Sequence, residues 1–298
     1  MNILITGGCG HIGSHLIRYK NNFNITVVDN MLTQRYCSLF NLSRNIKFKE
    51  IDIKDIQLKD LNDIDVVVHL AAITNAAESF DNKDQMEEVN YSQTKDFIDL
   101  CEEAGCKFIF PSSTSVYGVA ADMVYEDDDK FLNPQSPYAT SKINIENYIK
   151  KTMSSYVILR FGTIFGVSEG MRFHTAINKF CYDASLGKPL TIWKQNYEQV
   201  RPYLGLNDAV RSIIHFLNNL QCFNQTYNVI SGNYKLSDVV KSIEMVAGEI
   251  DLNMVDTPLL NQFTYDVSDG KVKKTGFESK DKLEVSVRET LKLLDNLK

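Results

Sequence analysis

The sequence predicts an α/β protein, a doubly wound parallel sheet followed by a smaller mixed α/β region. Three observations predict it. Apolar β runs alternate with helical patterns from residue 2 to residue 161, the order that parallel sheets produce. The run Val66-Val67-Val68-His69-Leu70 is almost continuously apolar, as a strand buried on both faces must be. Between the first β run and the first helical pattern lies Thr6-Gly7-Gly8-Cys9-Gly10-His11-Ile12-Gly13.

That stretch makes the large region Rossmann-like. Residues 2–5 form the strand, and a helical pattern runs on through Tyr19. Gly7 allows the tight turn, Gly10 lets the backbone approach a diphosphate, and Gly13 lets helix and strand pack closely. A glycine pattern alone is weak; the strand-to-helix setting is what the motif demands. The next strand, 25–28, ends at Asp29, beside Asn30. A carboxylate there accepts from a ribose 2′-hydroxyl and repels a 2′-phosphate, which favours NAD over NADP. Residues 46–51 read as the third strand. Asp52 after it suits an adenine amino group with Ile53 against the ring, though a plain loop aspartate fits the spacing nearly as well.

After the strand at 66–70, Ala71 and Ala72 are small enough for a cofactor to lie across the strand end. His69 is expected to be a packed, hydrogen-bonded histidine. Helical spacing covers 88–103, and 107–110 is the next strand. The hydroxyl-rich Ser112-Ser113-Thr114-Ser115 follows, beyond the carboxyl end of a strand, where open α/β sheets bind ligands. The acidic run 126–129 is expected to be a solvated loop. A sixth strand covers 156–161.

The chemistry centres on Tyr138-Ala139-Thr140-Ser141-Lys142. Residues four apart share a helix face. Pro137 suits the first helical turn and Ser136 the cap. An ammonium beside a phenol favours the phenolate, so Lys142 is expected to lower the pKa of Tyr138 from about 10. Tyr138 then becomes a candidate acid/base for a hydroxyl.

Beyond residue 162 the pattern changes to helical stretches near 171–186 and 207–220 and short strands near 189–193 and 226–230. A helix at 283–297 ends the chain. The expected division is a dinucleotide-binding domain at 1–162 and a mainly substrate-binding region at 163–298, with some segments returning to the first. No Pro/Gly/Ser-rich linker separates them, so a shared cleft is expected.

Composition narrows the function. With 298 residues, 44% hydrophobic and 23% charged, the chain can bury a large core. A formal charge of −6 argues against nucleic-acid binding, which needs a basic stripe. No apolar run approaches the ~20 residues of a membrane span. The chain opens directly into a strand, which reads as lacking a signal peptide. The six cysteines are scattered without a C-x-x-C pair, as reduced thiols of a cytoplasmic protein. The five histidines show no zinc spacing, so no metal site is expected.

Taken together, these residues resemble the extended short-chain dehydrogenase/reductase family, the nucleotide-sugar epimerases and dehydratases. Besides the glycine turn, Asp29, Asp52-Ile53, residues 69–72 and Tyr138-x-x-x-Lys142, the carriers are Asn90, Ser112-Ser113-x-x-Val116-Tyr117-Gly118 and Arg160 with Phe165-Gly166. Arg201, Asp208 and Tyr227-Asn228-Val229-x-Ser231-Gly232 complete the set. The resemblance covers essentially the whole chain.

It implies catalysis by Ser113, Tyr138 and Lys142. Tyr138 would exchange a proton with a sugar hydroxyl, Lys142 would bond the nicotinamide ribose, and Ser113 would be the hydroxyl partner, with Thr114 beside it. It implies NAD held by Gly7, Gly10, His11, Ile12, Asp29, Asn30, Asp52, Ile53, Leu70, Ala71, Ala72, Tyr138 and Lys142. It implies a nucleotide-diphosphate sugar on Thr74, Ser113, Thr114, Thr163 and Arg201, the arginine forking onto a phosphate. A homodimer through the helices near 88–103 and 138–152 is implied as well.

Dehydratases and decarboxylases of this kind carry a carboxylate just after the serine. Here Thr114 and Ser115 stand there, which argues against elimination and decarboxylation. What remains is transient oxidation of a ring carbon, at C4, and epimerisation. A 4-dehydrogenase or 4-keto reductase without epimerisation, or a silent sugar-nucleotide-binding protein, are the alternatives. The family's usual pattern is also altered at Thr163, at 194–198 and at 202–206, which points to an unusual sugar nucleotide.

Overall fold

The structure, a computed structural model, describes all residues except 21, 75–77, 119, 121–122, 257–264 and 298. The first half alternates as expected: β1 (Asn2–Thr6), α1 (His11–Leu16), β2 (Asn24–Asp29), β3 (Ile46–Glu50) and β4 (Val66–His69). Then come α2 (Lys83–Glu87), α3 (Thr94–Glu103), β5 (Lys107–Ser113), α4 (Pro137–Thr152) and β6 (Tyr156–Phe161). The second half contains β7 (Thr163–Phe165), α5 (Ala176–Ser185), β8 (Leu190–Trp193), β9 (Val200–Gly205), α6 (Leu206–Asn218) and β10 (Gln225–Val229). It ends with β11 (Gly232–Lys235), α7 (Leu236–Ala247), β12 (Leu252–Val255), α8 (Gly270–Lys273) and α9 (Leu283–Leu293).

The main sheet has seven parallel strands in the order β10-β6-β5-β4-β1-β2-β3. The order reverses between β1 and β4, which opens a crevice at their carboxyl ends. Val66, Val67 and Val68 are fully buried, the burial their unbroken apolar run foretold. One face packs Ile3, Ile5, Val27 and Phe161 against Ala209, Ile213 and Phe216 of α6. The other packs Leu4, Val67 and Phe108 against Ile98 of α3 and Ile145 and Ile149 of α4. The seventh strand, β10, comes from beyond residue 162. Around it lies a smaller assembly: the sheet β11-β9-β7 and the pair β12-β8, packed with α5, α7 and α9.

Three features differ from the sequence reading. The helix expected at 88–103 begins at Lys83 and carries a π turn over Glu88–Gln93, a geometry concentrated at functional sites. Asn90 lies in that turn; its amide accepts from the Ile73 N–H and donates to the Ile73 carbonyl, both at 2.8 Å. β5 continues through Pro111 to Ser113, paired there by β6, while β4 pairs it only as far as Ile109. A proline is tolerated where a strand has a neighbour on one side only. Finally, the acidic run is not wholly solvated. Glu126 is buried and accepts from the backbone N–H (3.2 Å) and amide (3.1 Å) of Asn228. Asn228 supplies the donors that let a carboxylate leave water.

Asp208, at the start of α6, ties the end of the chain to the main sheet. Fully buried, it accepts from the backbone N–H groups of Lys280 (2.8 Å) and Asp281 (2.8 Å) and from Ser231 Oγ (2.7 Å), and it pairs with Arg211. Replacing Asp208 with Ala strands those donors and should cost about 3 kcal/mol of unfolding free energy. Chemical denaturation measures it; a loss under about 0.5 kcal/mol would contradict this reading of the contact.

Candidate active site

The crevice begins at the glycine turn. Gly7 has φ +66°, and a methyl group there would lie 2.6 Å from the Ala71 nitrogen. A side chain at Gly13 would run into the Gly8 backbone at 2.5 Å. At Gly10 the nearest obstacle, the Gly7 carbonyl, is 3.2 Å away. Two of the glycines therefore close the turn, and the third leaves backbone open to a ligand. The first N–H groups of a helix have no partner within it, so α1 presents His11 and Ile12 N–H groups at the turn. The His11 ring itself faces the Gly166 carbonyl at 3.0 Å, and burial pushes it down to about 3, so it stays neutral.

Asp29 ends β2 with both carboxylate oxygens engaged, by the N–H of Cys9 (2.9 Å) and of Met31 (2.9 Å). This fixes the carboxylate while each oxygen keeps a lone pair for a hydroxyl. Asn30 donates to Asp52 at 2.8 Å, so the ends of β2 and β3 are linked. The Ile53 side chain is in the core with Val28 and Ile56. These residues fit a dinucleotide whose 2′-position is a hydroxyl.

Beyond the crevice lies a cavity of about 430 Å³. It brings together Ile12, Leu70, Ala72 and Thr74 with Ser113, Thr114, Tyr138 and Lys142, and across from them Thr163 and Arg201. The elements explain the convergence. β5 delivers Ser113 at its carboxyl end, and α4 delivers Tyr138 and Lys142 from its first two turns. That helix starts as its sequence predicts: Ser136 Oγ accepts from the Ala139 N–H at 3.2 Å and Pro137 sits in the first turn. Thr163 opens β7 and Arg201 lies on β9, so the small sheet forms the opposite wall.

The electrostatics differ from the expectation for Tyr138. Its phenol is raised above its ordinary value by burial, against the lowering effects of the Arg172 guanidinium and a hydrogen bond with Ser113. Lys142 is not the cation that opposes burial there. Its ammonium donates to the Pro111 carbonyl at 3.0 Å and lies 4.4 Å above the Phe110 ring and 5.9 Å from the Tyr138 ring centre. Burial pushes Lys142 down to about 8, opposed by Glu146. The reason is geometric: four residues along a helix place the two side chains on one face, but the carbonyl of β5 captures the ammonium.

Arg172 escapes the sequence reading because no motif marks it and because it fell in the stretch expected to be helical from 171, whereas α5 begins only at Ala176 and Arg172 lies in the loop before it. Its guanidinium donates to Thr74 Oγ1, and its buried Nε has no hydrogen-bond partner among the described residues. Burial and the nearby Arg35 push it down to about 10. The loop that carries it is docked on the glycine turn. Ser168 Oγ donates to the His11 carbonyl (2.9 Å), the Gly170 N–H donates to Ser14 Oγ (2.9 Å), and Gly170 leaves no room for a side chain against the Cys9 and Gly10 carbonyls. His69, as expected, is packed: it lies 2.8 Å from Thr6 Oγ1, stacks on Phe108 and is held neutral by burial at about 3. Among the described residues no group of His, Cys, Asp and Glu could hold a metal, and no helix is long and apolar enough to cross a membrane.

With this geometry in view, the comparisons with known proteins are specific. The sequence profile of the NAD-dependent epimerase/dehydratase family matches residues 3–229. A putative UDP-glucose 4-epimerase of Methanocaldococcus jannaschii is 28% identical, over 83% of this chain and 82% of its own. A dTDP-D-glucose 4,6-dehydratase of Dictyostelium discoideum is 31% identical, over 81% of this chain and 61% of its own. A crystal structure of a UDP-glucuronic acid 4-epimerase mutant from Bacillus cereus, with NAD and a fluorinated UDP-glucuronic acid, superposes over the full length of both chains with a TM-score of 0.87 and 25% identity. The chain belongs to the NAD-dependent epimerase/dehydratase family, within the extended short-chain dehydrogenases/reductases.

Proposed function

We propose that this protein is a nucleotide-sugar 4-epimerase. The observation that carries the reading is the meeting of Ser113, Tyr138 and Lys142 on one wall of a cavity whose opposite wall holds Thr163 and Arg201. Bound NAD would supply a hydride acceptor that is regenerated within each turnover, so the net reaction is an isomerisation. Gly7, Gly10, His11 and Ile12 would hold its diphosphate, and Asp29 with Asn30 its adenosine ribose. Asp52 and Ile53 would flank the adenine, Leu70, Ala71 and Ala72 the strand-end surface, and Lys142 the nicotinamide ribose.

The protein's own part is proton transfer and orientation. Tyr138 takes the proton of the C4 hydroxyl as that carbon becomes a carbonyl, and returns it when the carbinol re-forms on the other face. Ser113 shares the same hydrogen bond and fixes the oxygen. A phenol raised by burial holds its proton more firmly than one in water, so nearby cations matter to its work as a base. Arg172 is the cation that supplies this effect. Thr114 and Ser115 carry no carboxyl group, so the position after Ser113 offers no acid to expel water from C6. Arg201 would take a phosphate of the nucleotide, and Thr74, Thr114 and Thr163 sugar hydroxyls.

Arg172 also bears on the sugar. Among the described residues its buried Nε has no hydrogen-bond partner, and a cation in such a place calls for an anion. A carboxylate on the sugar ring would answer it, and the Bacillus cereus neighbour with its UDP-glucuronic acid ligand supports a sugar acid as substrate. Replacing Arg172 with Gln should raise KM for UDP-glucuronic acid at least about 10-fold. It should slow turnover of either sugar, because Tyr138 loses its cation, but leave KM for UDP-glucose and the affinity for NAD unchanged. An equal rise of KM on both sugars, or a loss of NAD binding, would contradict the assignment.

The reaction is tested by NMR of the protein with NAD and UDP-glucuronic acid. The 4-epimer should form with no net reduction of the cofactor; a keto product accumulating with reduced cofactor would contradict the reading. Replacing Tyr138 with Phe should slow turnover at least about 100-fold, and an unchanged rate would remove the tyrosine from the mechanism. A homodimer paired through α3 and α4 goes with this reading. Light scattering at the mass of one chain, 33.9 kDa, would reject it.

A further inference from the structure

Beneath the cavity runs a buried polar chain that the mechanism above does not use. Glu146 lies one turn beyond Lys142 on α4 and is fully buried. It accepts from Ser112 Oγ at 2.5 Å, next to Ser113. Arg160 of β6, also fully buried, donates to both its oxygens, through Nε at 3.1 Å and Nη2 at 2.6 Å. The chain continues: Arg160 Nη1 donates to Tyr117 Oη (3.0 Å), Tyr117 donates to Asn228 Oδ1 (2.5 Å), and Asn228 donates to Glu126. It links α4, the ends of β5, β6 and β10, and the segment after β5.

A buried pair of this kind adds little stability over an apolar one. Its place suggests another use. The groups around Lys142 are few: the Pro111 carbonyl and Phe110 ring from β5, Tyr138 and Glu146 from α4, and neutral His69 from β4. Behind Glu146 stands Arg160 of β6. Across the cavity stands Arg172. Glu146 is the one anion of this set.

We infer that Glu146 is a positioning residue, the counter-charge that keeps Lys142 an ammonium and, through Ser112, fixes the strand end that carries Ser113. Arg160 limits that charge by sharing it. The inference rests on the proposed role of Lys142. Because burial already pushes Lys142 down to about 8, the loss of one anion brings its titration into the working range. The sign follows: without Glu146 the ammonium gives up its proton at lower pH, so turnover is lost at lower pH as pH rises.

Two variants of the full-length protein separate charge from packing. Glu146→Gln keeps the size and removes the charge; Glu146→Asp keeps the charge and breaks the contact with Ser112. The pH profile of turnover is measured for both, with circular dichroism and NAD binding confirming the fold. Glu146→Gln should move the alkaline limb down by at least about 1 pH unit, and Glu146→Asp should leave the limb in place. A fixed limb in Glu146→Gln, or a limb in Glu146→Asp that shifts as far as in Glu146→Gln, would overturn the inference and leave Glu146 a packing residue. If Glu146→Gln does not fold, NMR titration of the Lys142 ammonium in the unaltered protein and in Glu146→Asp tests the same point. The two should titrate together, and a clearly lower titration in Glu146→Asp would overturn the inference. The outcome is separable from the proposed reaction. A fully active Tyr138→Phe variant would strike the mechanism, whereas a fixed limb strikes Glu146 alone.

Discussion

Everything at the cavity depends on how closely two turns approach each other. The end of β1 and the end of β4 come so near that a single methyl group at Gly7 would lie 2.6 Å from the Ala71 backbone. That approach puts the glycine turn, and the start of α1, beside the strand ends that carry Leu70, Ala72 and, one strand further, Ser113. A larger residue at either place would push β1 and β4 apart, and the crevice at the switch point would lose its shape. The rest of the fold can be read as support for that spacing. Asn90, in its π turn, grips the backbone of Ile73 just past the close approach. The loop of Ser168 and Gly170 fastens the far wall to the same glycine turn.

Two kinds of buried charge serve the site, and they work differently. Arg172 lines the cavity with a nitrogen that has no hydrogen-bond partner among the described residues, so an anion bound there would realise its electrostatic energy. Glu146 and Arg160 are satisfied within the protein and face away from the cavity, so they shape the site without touching a ligand. Between them sit a phenol raised by burial and an ammonium lowered by it. Burial moves the ammonium toward neutrality and the phenol away from it, so the phenol depends on the Arg172 charge to work as a base.

Much of this was legible in the sequence, for reasons that are local. The glycine turn, the apolar run of β4, the cap of α4 by Ser136 and the four-residue spacing of Tyr138 and Lys142 are all short-range patterns. What escaped depends on partners far along the chain. Glu126 looked solvated because nothing near it in sequence says that Asn228 will supply two donors. Arg172 carries no motif; its importance comes from lying opposite Thr74 and Tyr138 in space. The target of the Lys142 ammonium could not be read from spacing, since the Pro111 carbonyl belongs to a strand that seemed to end before it. β7 and β11 are too brief for a reliable period-two signal, while β9, though six residues long, is interrupted by Pro202 and ends in Gly205, and their mutual pairing reveals all three.

The central claim is that one carbinol is oxidised and rebuilt without leaving the cavity. The measurement that tests it most directly uses a UDP-sugar acid deuterated at C4, turned over by the protein in ordinary water. If the account is right, the deuterium is found at C4 of both epimers, since the hydride that leaves is the one that returns. Loss of the label to solvent, or its appearance at another carbon, would contradict it.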